Sequence, residues 1–162
     1  MTDAGEITYT EILGSPEGRE ADWSDDLSAT VAMYDGVVPK GQVQGLPPTG
    51  SEARRAWVAR LFETGENFLA WHEGKVIGHS CLILDPDRED AEFLIFVHQN
   101  FWRKGIGSEL TRRVIDRARH LRLKSVWLTV EALNFRAIRL YLKSGFVFCD
   151  VGERERTMIL NL

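Results

Sequence analysis

Glycine and basic residues stand together in the run Trp102-Arg103-Lys104-Gly105-Ile106-Gly107-Ser108. The run follows a strand-like apolar stretch over residues 93–97 and precedes a helical pattern, so it predicts a turn that ends at a helix N-terminus. A helix N-terminus leaves backbone N–H groups unpaired and carries partial positive charge, which favours phosphate. The two glycines let a pyrophosphate approach the backbone, and the two basic residues add charge. The run therefore predicts a ligand that carries phosphate.

The same glycine pattern excludes the two commonest nucleotide-binding motifs. It lacks the third glycine of the dinucleotide-binding fingerprint, and no acidic residue follows at the spacing that binds a ribose. It also lacks the Gly-Lys-Ser/Thr sequence of a P-loop. The pattern by itself leaves the identity of the ligand open.

A second constellation of residues extends from Asn134 to Phe146. Asn134 stands at a predicted helix start, where its side chain can cap the helix, and Gly145 stands at the C-cap end. Taken alone, the segment predicts a capped and packed helix with a buried tyrosine. The residues that share one face of this helix are Ala137, Ile138, Tyr141 and Leu142.

Hydrophobic periodicity around the two motifs predicts elements in the order β, α, α, β, β, β, α, β, α, β, β. The helix between strands 92–97 and 125–131 makes these strands parallel neighbours, whereas short connections elsewhere favour antiparallel pairs. We therefore expect a mixed α/β (α+β) fold with a mostly antiparallel sheet of six to seven strands and helices on both faces. The predicted strands are 7–13, 67–72, 75–84, 92–97, 125–131, 146–151 and 157–162, and the predicted helices are 26–33, 51–63, 105–122 and 134–144.

The N-terminal half carries fewer chemical signals. Residues 35–50 are rich in glycine and proline, which predicts a long loop that is either a binding loop or a surface connection. Thr49 and Glu52 have the spacing of a capping box before the second helix. The sequence from Gly14 to Gly18 breaks the first strand. The predicted apolar stripe of the second helix is Ala53, Trp57, Leu61 and Phe62.

Composition narrows the class of protein. The chain has 162 residues, which suits one domain over 1–162. Its net charge of −4 argues against a dedicated nucleic-acid binder. It has no apolar stretch of membrane-spanning length and no signal-peptide pattern, so a cytoplasmic protein without a membrane partner is expected. Cys81 and Cys149 are predicted to be reduced core thiols, and no metal site is predicted.

Together the two motifs resemble the GNAT family of N-acetyltransferases, from about Phe68 to Phe148. The resemblance implies acetyl-CoA as co-substrate and a parallel strand pair, at about 92–97 and 125–131, that splays apart around the thioester. It divides the chain into a variable acceptor-side part, about 1–66, and an acetyl-CoA-binding part, about 67–162. Trp102 departs from the family pattern, which usually has glutamine or arginine at that position.

The resemblance also implies roles for single residues. The pyrophosphate would bind the backbone of 103–108, and the pantetheine arm would pair with main chain near Ile95 and Val97. A backbone N–H of Phe96 or Val97 would polarise the thioester carbonyl. Tyr141 would lie near the sulfur as the candidate general acid, unless its hydroxyl only binds a carbonyl. The predicted cofactor-binding residues are Ile95, Phe96, Val97, Trp102, Arg103, Lys104, Gly105, Ile106, Gly107, Ser108, Asn134 and Tyr141.

The general base is less sharply indicated. Glu92 and Glu131 are the best carboxylates on the two parallel strands, and His79 is a third candidate that is more often structural. A base acting through water, or no dedicated base, is left open. Either cysteine could carry an acetyl group, but neither has a histidine in a recognisable motif.

The leading hypothesis is transfer of an acetyl group from acetyl-CoA to a primary amine by direct attack in a ternary complex. The acceptor, a small molecule or a protein amine, is not named by the sequence, and a homodimer is left open. One alternative is a non-catalytic acyl-CoA-binding or sensing module on the same fold. Another is a nucleic-acid or ribosome-associated protein that uses the basic residues between Arg112 and Lys124, although a solvated helix face explains them better.

Overall fold

The computed structural model describes residues 5–14, 22–42 and 44–162. In these ranges seven strands form one sheet in the order β1-β2-β3-β4-β5-β7-β6. Every neighbouring pair is antiparallel except β4 and β5, which are parallel. The strands are β1 (Thr8–Ile12), β2 (Gly65–His72), β3 (Lys75–Leu84), β4 (Asp90–Val97), β5 (Ser125–Glu131), β6 (Val147–Val151) and β7 (Glu155–Asn161).

Helices cover both faces of the sheet, as predicted. The element order predicted from periodicity is confirmed, and a short 3-10 helix at Gln99–Phe101 is an addition to it. Helices α1 and α2 pack on one face, and α3 and α4 pack on the other. The helices are α1 (Ser24–Gly36), α2 (Ser51–Thr64), α3 (Ile106–His120) and α4 (Phe135–Lys143).

Alternation along the central strands builds a separate core on each face. In β2, Phe68 and Ala70 belong to the core under α3 and α4, whereas Leu69 belongs to the core under α1 and α2. This follows from the two-residue period of a strand, which sends successive side chains to opposite faces. Because helices cover the sheet on both faces, β2 and β3 are buried along almost their whole length.

The parallel pair is short, and it opens into a cleft. β4 and β5 pair through Asp90 with Ser125, Ala91 with Val126 and Glu92 with Trp127. Beyond Glu92 the two strands no longer pair, although β4 continues to Val97 and β5 to Glu131. The splayed pair expected of the fold is therefore confirmed, and the splay begins at Glu92.

Several local predictions for the second helix are wrong. Its N-cap is Gly50, with no side-chain cap hydrogen bond, so Thr49 and Glu52 do not form a capping box. Ala53 is exposed, and Arg54 and Val58 are buried instead. The reason is that the Arg54 guanidinium binds the preceding loop, which turns this position inward.

Cys149 and the predicted break after β1 also need correction. Cys81 is buried as expected, but Cys149 is exposed on β6 and is not a core thiol. Of the predicted break at 14–18, residues 15–18 lie outside the described residues.

Among the helices of the described ranges, none combines the length and the apolar character that crossing a bilayer requires.

Candidate functional site

A cleft of about 520 Å³ lies between the separated ends of β4 and β5. The start of α3, the face of α4 and the loop before α2 complete its walls. Lys104 does not border it; its ammonium lies 5.9 Å from the centre of the Phe101 ring. The other predicted site residues all border the cleft: Glu92, Ile95, Phe96, Val97, Trp102, Arg103, Gly105, Ile106, Gly107, Ser108, Glu131, Asn134 and Tyr141.

The N-terminus of α3 opens onto this cleft. The first backbone bond that leads into the helix runs from the Glu109 amide to the Gly105 carbonyl at 3.1 Å. The amides of Ile106, Gly107 and Ser108 precede that bond, and they have no backbone acceptor among the described residues. Gly105 has a φ of +78°, a left-handed conformation that glycine adopts without strain. The turn therefore presents free N–H donors to the cleft.

Gly107 has a packing role. A Cβ atom at this position would lie 3.2 Å from Cδ2 of Leu140 on α4. The absent side chain lets the start of α3 approach α4, so Gly107 sets the distance between two walls of the cleft.

Alternate residues near the end of β4 direct their backbone N–H and C=O groups into the gap between β4 and β5. The His98 amide donates to the Ile77 carbonyl on β3 at 2.9 Å. Antiparallel pairing alternates, so the main chain of Phe96 also points toward β3, whereas that of Val97 and Ile95 points into the gap. Of the two amides predicted to face a thioester, the geometry therefore favours Val97.

Trp102 joins two walls of the cleft. Its indole Nε1 donates to the Val97 carbonyl at 2.9 Å. The guanidinium carbon of Arg136, on α4, lies 3.3 Å from the centre of the Trp102 ring, a cation–π contact. The residue that departs from the family pattern therefore binds the edge of β4 and stacks on α4.

Arg136 was not among the predicted site residues. It borders the cleft together with Arg103. Burial, with a smaller contribution from the positive charge of Arg103, lowers the pKa of Arg136, and the nearby Tyr141 opposes this shift. The signal that could have found it is a basic residue in the first turn of a helix that begins with a capping asparagine. Two arginines therefore make the α3–α4 end of the cleft positive.

Asn134 caps α4 as predicted. Its Oδ1 accepts a hydrogen bond from the Ala137 amide at 3.2 Å. This bond satisfies one of the free N–H groups of the helix N-terminus, and it fixes the side chain at the border of the cleft.

Tyr141 reaches the cleft from a buried position on α4. Its side chain packs against Phe93 and Phe146, with ring centres 6.1 and 5.9 Å away. Burial raises the pKa of Tyr141 well above its usual value, which keeps the phenol protonated at neutral pH. Its hydroxyl has no hydrogen-bond partner among the described residues, so the expectation of a hydroxyl that merely binds a carbonyl is not met there.

Glu92 and Glu131 lie on the face of the sheet that α1 and α2 cover. Glu92 stands opposite Trp127 in the parallel register, and Glu131 lies on the same face of β5, four residues further along. Burial raises the pKa of Glu92 above its usual value. Glu131 stands directly opposite Glu155 of β7, so a third carboxylate adjoins this part of the cleft.

His79 is structural. Its ring is buried between the Tyr34 hydroxyl, 2.7 Å from Nδ1, and the Asn67 Oδ1, 2.8 Å from Nε2. Burial lowers the pKa of His79 to about 3, and the ring does not border the cleft. It is therefore not placed to take a proton from a substrate.

The glycine- and proline-rich loop borders the cleft, which fits the expectation of a binding loop. Asp35, the acidic residue next to the loop at the end of α1, is already paired: its Oδ1 accepts hydrogen bonds from Nε and Nη2 of Arg54 at 2.9 and 2.7 Å. Nη1 of Arg54 binds the carbonyls of Pro48 and Thr49 at the other end of the loop. The residues of the loop that border the cleft are Val37, Val38, Pro39, Gln42, Gln44 and Leu46.

The arginines of α3 are engaged with carboxylates. Arg112 and Arg113 both bind Glu109, and Arg112 also binds Asp116. Arg117 binds Glu66, whose side chain is almost fully buried. The preferred interpretation of the basic cluster, a solvated helix face, agrees with these pairs.

Comparison with known sequences identifies the family. The model of the acetyltransferase (GNAT) family matches residues 16–146. Mycothiol acetyltransferase from Propionibacterium freudenreichii is 31% identical over 145 residues, which are 85% of this chain and 46% of that protein. The chain spans about half the length of the curated relatives it matches.

Solved structures show the same fold. The acetyltransferase of the GNAT family from Streptococcus pneumoniae has a TM-score of 0.72 at 21% identity, over 97% of this chain and 100% of that chain. A Salmonella typhimurium structure with its cofactor acetyl-CoA has a TM-score of 0.69 at 24% identity, over 96% of this chain and 94% of that chain. The glycine turn, the splayed strands and the match over most of the sequence agree, and the chain belongs to the GNAT family of acetyltransferases.

Proposed function

We propose that this protein transfers an acetyl group from acetyl-CoA to a primary amine by direct attack in a ternary complex. The observation that carries the proposal is that one cleft brings together a phosphate-binding turn, a buried protonated tyrosine and two carboxylates. These groups come from four different elements, and each suits a different part of the reaction. The family and the relative named mycothiol acetyltransferase support acetyl transfer, while the acceptor is proposed from the cleft itself.

The residues at the α3–α4 end fit coenzyme A. Free amides at the start of α3, with Arg103 and Arg136 beside them, offer donors and positive charge to a pyrophosphate. The open edge of β4 offers the main chain of Ile95 to the amides of a pantetheine arm. It also offers the Val97 carbonyl, whose second lone pair is available beside the hydrogen bond from the Trp102 indole. Bound acetyl-CoA supplies a reactive acyl carbon and a thiolate leaving group.

Three groups of this chain then act on the reacting atoms. The Val97 amide polarises the acyl oxygen, in the manner of an oxyanion-hole donor. A base removes the proton that makes the amine an ammonium ion, and the free amine then attacks the acyl carbon to form the new nitrogen–carbon bond. The nitrogen loses its second proton to solvent, and the carbon–sulfur bond breaks. The Tyr141 hydroxyl gives its proton to the departing sulfur, and solvent restores it.

Glu92 is the better of the two candidate bases. Its carboxylate lies at the point where the strands separate, and its raised pKa brings it closer to the working range of a base at neutral pH. Glu131 lies further along β5 and is assigned to attraction of the amine. His79 is excluded from this role by its burial and its two hydrogen bonds.

The Tyr141→Phe variant tests the proposal most directly. The change removes one hydroxyl and keeps the ring between Phe93 and Phe146. We expect kcat for acetyl transfer to fall by about 10²-fold or more, the usual effect of losing a general acid. We expect the Kd for acetyl-CoA, measured by calorimetry, to stay within a factor of about two, because the turn and the strand edge that would hold the cofactor are unchanged. A change of that size corresponds to well under 1 kcal/mol.

Tyr9→Phe is the matched control, because it removes a phenol hydroxyl from a tyrosine that does not border the cleft. We expect this variant to leave kcat unchanged. Turnover by Tyr141→Phe equal to that of the parent protein would contradict the assignment of the acid. An absence of released thiol with every amine tested, despite tight acetyl-CoA binding, would instead favour a non-catalytic acyl-CoA-binding module.

A further inference from the structure

The ionisable side chains that border the cleft are separated by sign. Among the described residues the basic ones are Arg103 and Arg136, at the α3–α4 end, and the acidic ones are Glu92 and Glu131, on the face covered by α1 and α2. The positive end suits the phosphates of coenzyme A. The acidic end is therefore left to the acceptor, and it favours a cation.

The two acidic residues border the cleft without a partner among the described residues. Neither Glu92 nor Glu131 forms an ion pair or a side-chain hydrogen bond with another described residue, whereas Glu66 and Glu109 bind arginines. The neighbouring Glu155 adds negative charge, and within the described part of the chain its side chain accepts one hydrogen bond, from the Gln44 backbone amide of the loop at 2.9 Å. Unneutralised carboxylates on the walls of a cleft leave room for a cationic ligand.

The two basic residues that contact the loop, Lys40 and Arg54, are already engaged. The Lys40 ammonium donates to the carbonyls of Asp35 and Val37 at 3.1 and 2.9 Å. The Arg54 guanidinium binds Asp35 and two loop carbonyls. The two arginines that border the cleft lie at its α3–α4 end, which the proposed function assigns to the phosphates of coenzyme A. A carboxylate next to the reacting amine, as in an α-amino acid, would therefore meet Glu92 and Glu131 without a basic partner at the acceptor end. Two like charges brought together in this way repel each other.

Much of the remaining surface of the acceptor end is apolar, and its polar residues Gln42, Gln44 and Thr129 carry no charge. It suits a hydrocarbon or aromatic body attached to the amine, because burying such a group is favourable. The apolar residues that line it are Val37, Val38, Pro39, Leu46, Leu94 and Phe96.

From these observations we infer that the acceptor is a primary amine on an apolar body, with no carboxylate beside the reacting nitrogen. The inference rests on the proposed function, because it names the class of amine that the same cleft takes. It excludes free α-amino acids as preferred substrates, and it admits simple arylalkyl and alkyl amines and amines whose neighbouring carboxyl group is masked as an amide.

Three acceptors of nearly equal size test the inference: phenethylamine, phenylalaninamide and phenylalanine. Release of free thiol from acetyl-CoA gives kcat/KM for each, corrected for the fraction of free amine. We expect phenylalanine to be at least tenfold poorer than phenylalaninamide, which corresponds to about 1.4 kcal/mol. The amide has the bulk of the carboxylate without its charge, so this pair isolates the charge.

Two variants connect the preference to the cleft. Glu131→Gln removes one of the repelling charges, and we expect it to narrow the gap between phenylalaninamide and phenylalanine by about threefold or more. Glu153→Gln makes the same change in the exposed turn between β6 and β7, and we expect it to leave the gap unchanged. Equal use of the amide and the acid by the parent protein, or a preference for the acid, would overturn the inference.

A failure of catalysis is distinguishable from a failure of the inference. If no amine releases thiol, the proposed function is overturned, and calorimetry of the three compounds with the CoA-loaded protein tests the acceptor class alone. Binding of phenethylamine and phenylalaninamide in preference to phenylalanine supports the inference. Equal binding of all three, or tighter binding of phenylalanine, overturns it.

Discussion

Burial shifts the pKa values of Tyr141 and His79, which lie on opposite faces of the sheet, in opposite directions. Desolvation disfavours a charged group, so it raises the pKa of the Tyr141 phenol and lowers that of the His79 imidazole. Both groups are therefore neutral in the folded protein at pH 7. The tyrosine keeps a proton that it can give, and the histidine stays uncharged between Tyr34 and Asn67.

The lowered pKa of His79 predicts a loss of stability in mild acid. In the unfolded chain a histidine has a pKa of about 6.5, so below that pH the unfolded state binds a proton that the folded state does not take up until about pH 3. His79 therefore contributes stability that is fully present above pH 6.5 and is lost as the pH falls toward 3. The largest slope from one such group is about 1.4 kcal/mol per pH unit.

Urea unfolding of the parent protein and of His79→Gln between pH 7 and pH 4 checks this prediction. The variant should be less stable at pH 7, because the bonds to Tyr34 and Asn67 are disturbed, but its free energy of unfolding should fall less steeply in acid. His120→Gln, which changes an exposed histidine, should keep the slope of the parent protein. Parallel curves for His79→Gln and the parent would show that the buried imidazole is not responsible.

At the residue scale, the sequence predicted which side chains have a role better than it predicted which residues those side chains contact. Asn134 caps α4 as predicted, because an asparagine before a helical repeat has few other structural roles. The stack of Arg136 on Trp102 could not be predicted, because it joins a turn and a helix whose relative position depends on the packing of Gly107 against Leu140. Arg54 was missed because a charged residue in a helical pattern is ordinarily assigned to solvent.

Among the elements, the loop before α2 is held at both of its ends by side-chain hydrogen bonds, several of them from Arg54. Arg54 binds Asp35, at the end of α1, and the carbonyls of Pro48 and Thr49, just before α2. The Gln99 side chain adds bonds to the Gly36 carbonyl and the Val38 amide. The loop is therefore closed at its base, although its described residues form no helix or strand.

Removal of the Arg54 side chain should loosen the loop without affecting the α3–α4 end of the cleft. In Arg54→Ala we expect trypsin to cleave after Lys40 at least about tenfold faster, since hydrogen bonds to a charged group contribute about 1.5–3 kcal/mol. We also expect KM for the amine to rise while the Kd for acetyl-CoA changes little. Mass spectrometry of the early tryptic fragments and steady-state kinetics measure the two effects.

Arg55→Ala is the control for this variant, because Arg55 is the exposed neighbour on the same helix. Protection of Lys40 equal to that in the parent protein would refute the role of Arg54. An equal loss of acetyl-CoA affinity would indicate general destabilisation instead.

Element order and strand direction were predictable because they depend on local period and on the length of connections. Helix α3 connects β4 to β5 in the chain, and such a helical crossover joins strands that run parallel. The element order therefore predicts the parallel pair. The path of the glycine- and proline-rich loop was not predictable, since its contacts with Arg54 and Gln99 are tertiary. The predicted capping box failed for a related reason: the Thr49 carbonyl belongs to the loop and binds Arg54, and the N-cap is Gly50, one residue after Thr49.

For the whole molecule, acetyl-CoA should act as a stabilising ligand. The cleft exists only in the folded chain, so a ligand present at 100 times its Kd adds about 2.7 kcal/mol to the free energy of unfolding. For a protein of this size we expect Tm to rise by about 5–10 °C. Thermal unfolding with acetyl-CoA measures the shift, and pantetheine, which lacks the phosphates, is the comparison. A Tm that acetyl-CoA leaves unchanged would contradict the assignment of the cleft.

The short pairing of β4 and β5 has a mechanical consequence. The sheet consists of two halves, one made of β1, β2, β3 and β4 and the other of β5, β7 and β6. The halves are joined by three residue pairs between β4 and β5 and, just before these pairs, by a hydrogen bond that the Lys124 amide donates to the Glu89 carbonyl at 2.7 Å. These few residues set how closely the two halves approach each other where the cleft begins. Ala91 and Val126 are almost fully buried at this junction. We therefore expect a larger side chain at either position to push the halves apart and to change the spacing of the groups that are proposed to be catalytic, without replacing any of them.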